Sequence, residues 1–181
     1  MPLRIESIAQ EGGAGLISVI IETKDHAEDL ARTLGSLVPA AVEGFVRDVI
    51  VRDLGSADET RKVCDHAGAR WLGECELADA IKSARCGWLL LLRPGARMIE
   101  GWIEPAAMHM EKLTSPARFT RSRASRPGLF ARFKAGPDPL AEGLLIHRKQ
   151  ALALARPGMD AKGLARGLAS RRLSGEIAVA I

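Results

Sequence analysis

The residues best placed for chemistry are Asp53-Leu54-Gly55-Ser56-Ala57-Asp58-Glu59-Thr60. An acid closes an apolar run, a glycine turn follows, and small polar residues open what reads as a helix. In a parallel α/β sheet such a corner faces the ligand, because ligands bind beyond the carboxyl ends of the strands. The free amides of a helix start also attract anions. Ser56 and Asp58 are equally ordinary helix-cap residues, so this stretch by itself is compatible with both a ligand corner and a plain cap. Other reactive side chains are scattered. Cys64, Cys75 and Cys86 are odd in number and match no zinc spacing. They read as reduced thiols of a cytoplasmic protein. His26, His66, His109 and His147 fall on separate elements without ligand spacing, and read as structural or exposed.

Charge divides the chain. Residues 1–111 carry 12 Lys/Arg against 18 Asp/Glu, whereas residues 112–181 carry 14 against 4. Lys112, Arg118, Arg121, Arg123, Arg126, Arg132 and Lys134 follow one another with no acid between them. The expectation is an exposed or loosely ordered segment over 112–134, beside the mouth of a cleft. It could attract phosphates or acidic lipid headgroups, or be simply a solvated face. No nucleic-acid partner is expected: there is no recognition motif, and only four Phe and three Trp are available for stacking.

The elements that must position these residues follow from periodicity. Ile17 to Ile21 is a short apolar run, as for a strand covered on both faces. Asp25 and Glu28 read as a capping box before a helix striped by Ala27, Leu30, Ala31, Leu34 and Leu37. Val46 to Asp53 reads as a second strand. Ser56 and Glu59 form another capping box, and that helix stops at Gly68. A short strand over 69–72, a helix marked by Leu77, Ile81 and Ala84, and the strand Trp88 to Leu92 come next. Trp102, Ile103, Ala106, Met110 and Leu113 then repeat at helical spacing. Four alternations of strand and helix predict a doubly wound, mainly parallel sheet. Residues 115–139, with Pro116, Pro127, Pro137 and Pro139, resist assignment. Beyond them lie a strand over 143–147, a short helix over 150–155, a basic amphipathic stretch over 160–171 and a last strand over 177–181. A chain of 181 residues, 47% of them hydrophobic, suits one domain over 1–181. No apolar run approaches the roughly 20 residues of a membrane span, and residues 1–15 lack the apolar region of a secretory signal. A cytoplasmic location, at most peripheral to a membrane, is expected.

ISVIIETK, the helix with Arg32-Thr33-Leu34, VIVRDLGSADET and Ala67-Gly68-Ala69 together resemble the opening of family 2 glycosyltransferases. ARCGWLLLL (84–92), EGLLIHR (142–148) and LARGLASRRL (164–173) extend the likeness. It runs from about 16 to 181, with a gap near 115–140. The resemblance implies a GT-A fold, Rossmann-like and three-layered α/β/α, with residues 1–111 binding a nucleoside-diphosphate sugar and residues 112–181 serving the acceptor. It also implies Mn²⁺ or Mg²⁺, and assigns Thr23, Asp53 and Ser56 to nucleotide binding.

This sequence departs from that pattern where the family carries its chemistry. The metal-binding acids should follow Leu92, and Arg93-Pro94-Gly95 stands there instead. A hard divalent cation needs anionic oxygen, so no metal or other cofactor is expected. The family's general base aligns with Ala161 and the acid before it with Asp160; a shift of one residue would make Asp160 the base. Glu22-Thr23 replaces a Pro-Thr pair, Asp25-His26 an Asn-Glu pair, and Leu54 a second Asp. Gly73-Glu74-Cys75-Glu76 sets two acids where groups friendly to a diphosphate belong. Arg93, with Arg97 nearby, could neutralise a leaving diphosphate directly, or be an exposed loop residue. Three readings stay open: a glycosyltransferase-like binder with impaired or no turnover, a metal-independent transferase using Arg93 and Asp160, and an interaction module on the same fold.

Overall fold

The computed structural model describes residues 16–123 and 138–179. Within them the chain forms β1 (Ile17–Thr23), α1 (Ala27–Val42), β2 (Val46–Asp53), α2 (Thr60–Ala67), β3 (Arg70–Leu72) and α3 (Leu77–Ser83). There follow β4 (Trp88–Leu92), β5 (Ala96–Met98), α4 (Ile103–Lys112), β6 (Ala117–Arg121) and β7 (Leu144–His147). The last elements are α5 (Arg148–Leu154), α6 (Ala161–Ala165) and β8 (Arg171–Val179).

The strands form one sheet in the order β3-β2-β1-β4-β7-β6-β8-β5. Its first half is parallel, as the alternation of strand and helix predicts, and places β1 between β2 and β4. Beyond β4 the sheet is mixed. β7 runs antiparallel to β4 and β6, β6 runs parallel to β8, and β8 is antiparallel to β5. The parallel expectation therefore holds for half the sheet. An antiparallel neighbour needs no crossover helix, so the later strands leave no regular strand-helix rhythm in the sequence. β5 and β6 were not foreseen: β5 has three residues, and β6 lies among the prolines and arginines of 115–139.

Alternation along the central strands splits the core into two layers. Val19, Ile21, Leu90 and Leu92 face α1 and α4, whereas Ile20, Leu89 and Leu91 face α3, α5 and α6. Both layers are dry, which is why β1 and β4 read as continuous apolar runs. At the opposite end of the strands from the cleft described below, Ser18 donates its hydroxyl hydrogen to Asp48 and accepts from the amides of Arg85 (3.2 Å) and Cys86 (3.0 Å). Asp48 also pairs with Arg70 at 2.9 Å, so one buried cluster ties β1, β2, β3 and the start of β4.

Neither capping box forms. The carboxylates are exchanged between loops: Asp25 accepts from the Ala57 amide (2.7 Å), and Asp58 accepts from Ala27 (2.9 Å) and Thr60 (3.0 Å). The exchange holds Asp25 at φ 55°, an uncommon conformation outside glycine. It locks the β1–α1 loop to the β2–α2 loop. α2 does end at Gly68, in the left-handed region at φ 67°.

The basic segment also differs from expectation. Arg118 is half-buried and donates to the carbonyls of Ala165 (2.6 Å) and Pro139 and to the Ser170 hydroxyl (3.1 Å). Arg121 buries its Nε. Both lie on β6, an internal strand, so half their surroundings are protein. Lys112 and Arg123 are exposed, while Arg126, Arg132 and Lys134 lie outside the described residues. No described helix is long and apolar enough to cross a membrane.

Candidate active-site cleft

Three adjacent parallel strands end at one place. Thr23 closes β1, Leu54 follows β2, and Arg93 follows β4. Asp138 and Leu140 from the approach to β7, and Asp160 and Lys162 from the start of α6, face them across a cleft of about 310 Å³. The three layers thus put the cleft where a doubly wound sheet leaves space between strand ends and helix starts.

Thr23 is 3% exposed and its Oγ1 has no hydrogen-bond partner among the described residues. A buried hydroxyl left unpaired costs about 1–3 kcal/mol, a cost that a hydrogen-bonding group brought to this atom would relieve. Asp53, by contrast, is fully engaged. Its Oδ1 accepts from the Ser56 amide (2.9 Å) and hydroxyl (2.7 Å), and its Oδ2 accepts from the Trp71 indole (3.0 Å). Burial by itself would raise the Asp53 carboxyl; these bonds outweigh it and hold the group below its usual range. Ser56 also accepts from the Asp25 amide at 2.9 Å. Of the five residues singled out in the sequence, Thr23, Arg93 and Asp160 line the cleft. Asp53 and Ser56 sit behind it and shape the corner.

Arg93 is not a free loop residue. Its guanidinium bonds Asp138 Oδ2 at 2.9 Å, and Lys162 Nζ lies 3.8 Å from the same oxygen. One carboxylate therefore rests between two cations on opposite walls. Lys24, exposed at the mouth, has no acid within ion-pair distance among the described residues. Arg97, on β5, points to solvent and does not line the cleft.

Glu22 and Arg52 face each other one-for-one on β1 and β2 and form a buried ion pair. Arg52 Nε also donates to the Cys75 carbonyl (2.6 Å), and Glu22 Oε2 accepts the Ala161 amide (2.6 Å) at the first turn of α6. Burial pushes the Glu22 carboxyl above its ordinary value, although the Ala161 amide and Arg52 pull the other way. A residue in a position of proline thus staples the sheet to the segment that carries Asp160. Nothing in the local periodicity marks Glu22, but its match with Arg52 at corresponding ends of adjacent strands was available as a signal.

Asp160 is exposed, caps α6 by accepting from Gly163 (2.6 Å), and faces the cleft. Ala161 is 1% exposed and packs into the layer with Leu164 and Ala165. An acid at 161 would point into the core, so Asp160 is the position from which a side chain reaches the cleft.

A divalent cation does not fit these residues. Among them no three His, Cys, Asp or Glu side chains converge. The cleft acids have partners: Glu22 has Arg52, Asp29 has Arg32, Asp138 has Arg93 and Lys162, and one oxygen of Asp160 has the Gly163 amide. A guanidinium after β4 repels Mn²⁺ or Mg²⁺ where such an ion would need carboxylate oxygens.

No protein-family model and no curated protein matches the sequence. Solved structures do match. Glucosyl-3-phosphoglycerate synthase from Mycobacterium tuberculosis, in complex with Mg²⁺ and UDP, superposes with a TM-score of 0.61 at 16% identity, over 100% of this chain and 77% of that one. The same enzyme with Mn²⁺, UDP-glucose and phosphoglyceric acid gives 0.60 at 14%, again over 100% and 77%. A protein described only as mycobacterial gives 0.60 at 16%, over 97% and 70%. At such identities the likeness is one of fold: the chain has the GT-A α/β fold of glycosyltransferases.

Proposed function

We propose that this protein binds a nucleoside-diphosphate sugar in the cleft, with little or no turnover. The observation that carries the reading is the Arg93–Asp138–Lys162 cluster at the strand ends. It offers a phosphate group two cations and offers a metal no surplus carboxylate. Residues 1–111 would supply the nucleotide side through Thr23 and the corner built by Asp53 and Ser56. Residues 112–181 would supply the anion-facing wall, and an exposed base such as Arg123, beyond the end of β6, could draw in a phosphorylated or lipid-phosphate acceptor.

A second reading has its own support. Asp160 is exposed at the cleft with one carboxylate oxygen left over from its cap, so it could take a proton from an acceptor while Arg93 offsets charge on the leaving diphosphate. Transfer and hydrolysis of UDP-glucose, measured with and without Mn²⁺, separate the two. The first reading expects binding with turnover near background, unchanged by Mn²⁺. The second expects metal-independent turnover that Asp160→Asn lowers by roughly 10²–10⁴-fold. Absence of nucleotide binding removes both and leaves an interaction module.

Thr23→Val tests the binding side without reference to catalysis. The swap keeps the shape and removes an unpartnered hydroxyl, so the free protein should gain about 1 kcal/mol of stability. Stabilisation by UDP should shrink in the same variant, because the hydroxyl's outside partner is lost. A thermal melt with and without UDP reads both. If the variant is destabilised when free, Thr23 has a structural partner and its role in binding fails.

A further inference from the structure

Selecting a nucleobase requires a hydrogen-bonding group on a fixed wall with free capacity toward the base; only then does the wrong base leave something unpaired. Asp53 is the rigid acceptor nearest the cleft corner, and the glycosyltransferase resemblance assigns it to base contact. Its Oδ2 accepts the Trp71 indole N–H at 3.0 Å, and its Oδ1 accepts from the Ser56 amide and hydroxyl. The indole is itself held in place. The Arg61 guanidinium carbon lies 4.4 Å from its ring centroid. Gly73 packs so close that an added Cβ would come within 3.1 Å of the six-membered ring. A planar N–H donor belonging to the protein therefore lies against the carboxylate edge that a base imide would need, and Asp53, 4% exposed, does not line the cleft.

Of the groups that line the cleft, Lys24, Arg93 and Lys162 are cations suited to phosphate, and the carboxylates of Glu22, Asp29 and Asp138 are paired with cations. The exposed His26 and Asp160 stand at helix starts rather than on the strand-end wall. Thr23 offers one hydroxyl, which donates or accepts alike and so does not tell an imide from an amine edge. We propose that the site takes a nucleoside diphosphate through its diphosphate and sugar and does not select the base, and that Trp71 is the residue that removes selection. This rests on the nucleotide-binding reading above.

Calorimetric titration of the full chain with UDP, CDP, GDP and inorganic pyrophosphate tests it. The three nucleotides should bind within about three-fold of one another. A preference of about ten-fold or more for one base overturns the inference and leaves the nucleotide reading intact. No binding by any of the four overturns both. Trp71→Phe keeps a ring beside Arg61 and Gly73 but frees the Asp53 oxygen. That variant should favour UDP, whose N3–H donates, over CDP, whose N3 accepts, by about five-fold or more, with pyrophosphate unchanged. If it stays as indifferent as the parent, Trp71 is not the determinant.

Discussion

Arg52→Leu is expected to lower the free energy of unfolding by about 3–5 kcal/mol near neutral pH, as when one member of a buried ion pair is removed. The side chains of Arg52 and Glu22 are 9% and 10% exposed, so Glu22 would keep a charge with its main counter-ion gone. The Cys75 carbonyl would lose its donor as well. The loss should depend on pH in a defined sense. Burial already raises the folded Glu22 value above 4.5, and removing Arg52 takes away one of the influences that lower it. A carboxyl whose folded value lies above its unfolded one favours folding when protonated, so stability falls as pH rises from about 4.5 through the folded value. The variant should therefore be less impaired at pH 5 than at pH 8, and Glu22→Gln in the same background should flatten the difference. Urea unfolding at the two pH values measures this, and an equal loss at both would show that Glu22 does not carry the cost.

Arg93→Ala is expected to weaken binding of UDP by roughly 10–100-fold, the worth of about 1.5–3 kcal/mol for hydrogen bonds to a charged group. Arg93→Lys should recover only part, since an ammonium cannot grip two phosphate oxygens in a plane. Asp138→Asn should act in the opposite direction. The Asp138 carboxylate rests on Arg93 and Lys162 and competes with an incoming phosphate for both. Removing its charge should raise affinity several-fold, and the effect should vanish when Arg93 and Lys162 are both neutralised. Titrations at fixed low salt are needed, because Lys162 and Lys24 are exposed and their contribution is screened. Unchanged affinity in Arg93→Ala would place the diphosphate elsewhere. An affinity of the parent protein that rises sharply with Mn²⁺ would show that carboxylates in the cleft can be freed for a metal.

Much of the fold was legible because its first half obeys local rules. The period-2 and period-3.6 patterns from Ile17 to Lys112 located β1 to β4 and α1 to α4. The cleft lies at the strand ends, where a doubly wound sheet leaves space, and Thr23 and Arg93 line it. Legibility stopped where pairing is non-local. β6 alternates Ala117, Arg118, Phe119 and Thr120 in burial as any strand does. Its arginines and flanking prolines hid that rhythm, and its partners β7 and β8 lie far along the chain. The two capping boxes failed for a related reason. Each had the right residues at the right spacing, but a carboxylate in a neighbouring loop made the better bond.

By itself, then, the amino-acid order determined the parallel half of the sheet, the dryness of β1 and β4, and the presence of an arginine where an acid would hold a metal. These depend on side-chain type and near-neighbour spacing. Tertiary structure alone decided what each polar group is bonded to. It turned Asp53 toward Trp71, set Asp138 between Arg93 and Lys162, buried Ala161 and left Asp160 facing the cleft. A carboxylate's chemistry depends on which donors reach it, and those donors come from residues up to 139 positions away, as the bond from the Ala161 amide to Glu22 illustrates. Sequence spacing carries no record of such pairs until the chain is folded.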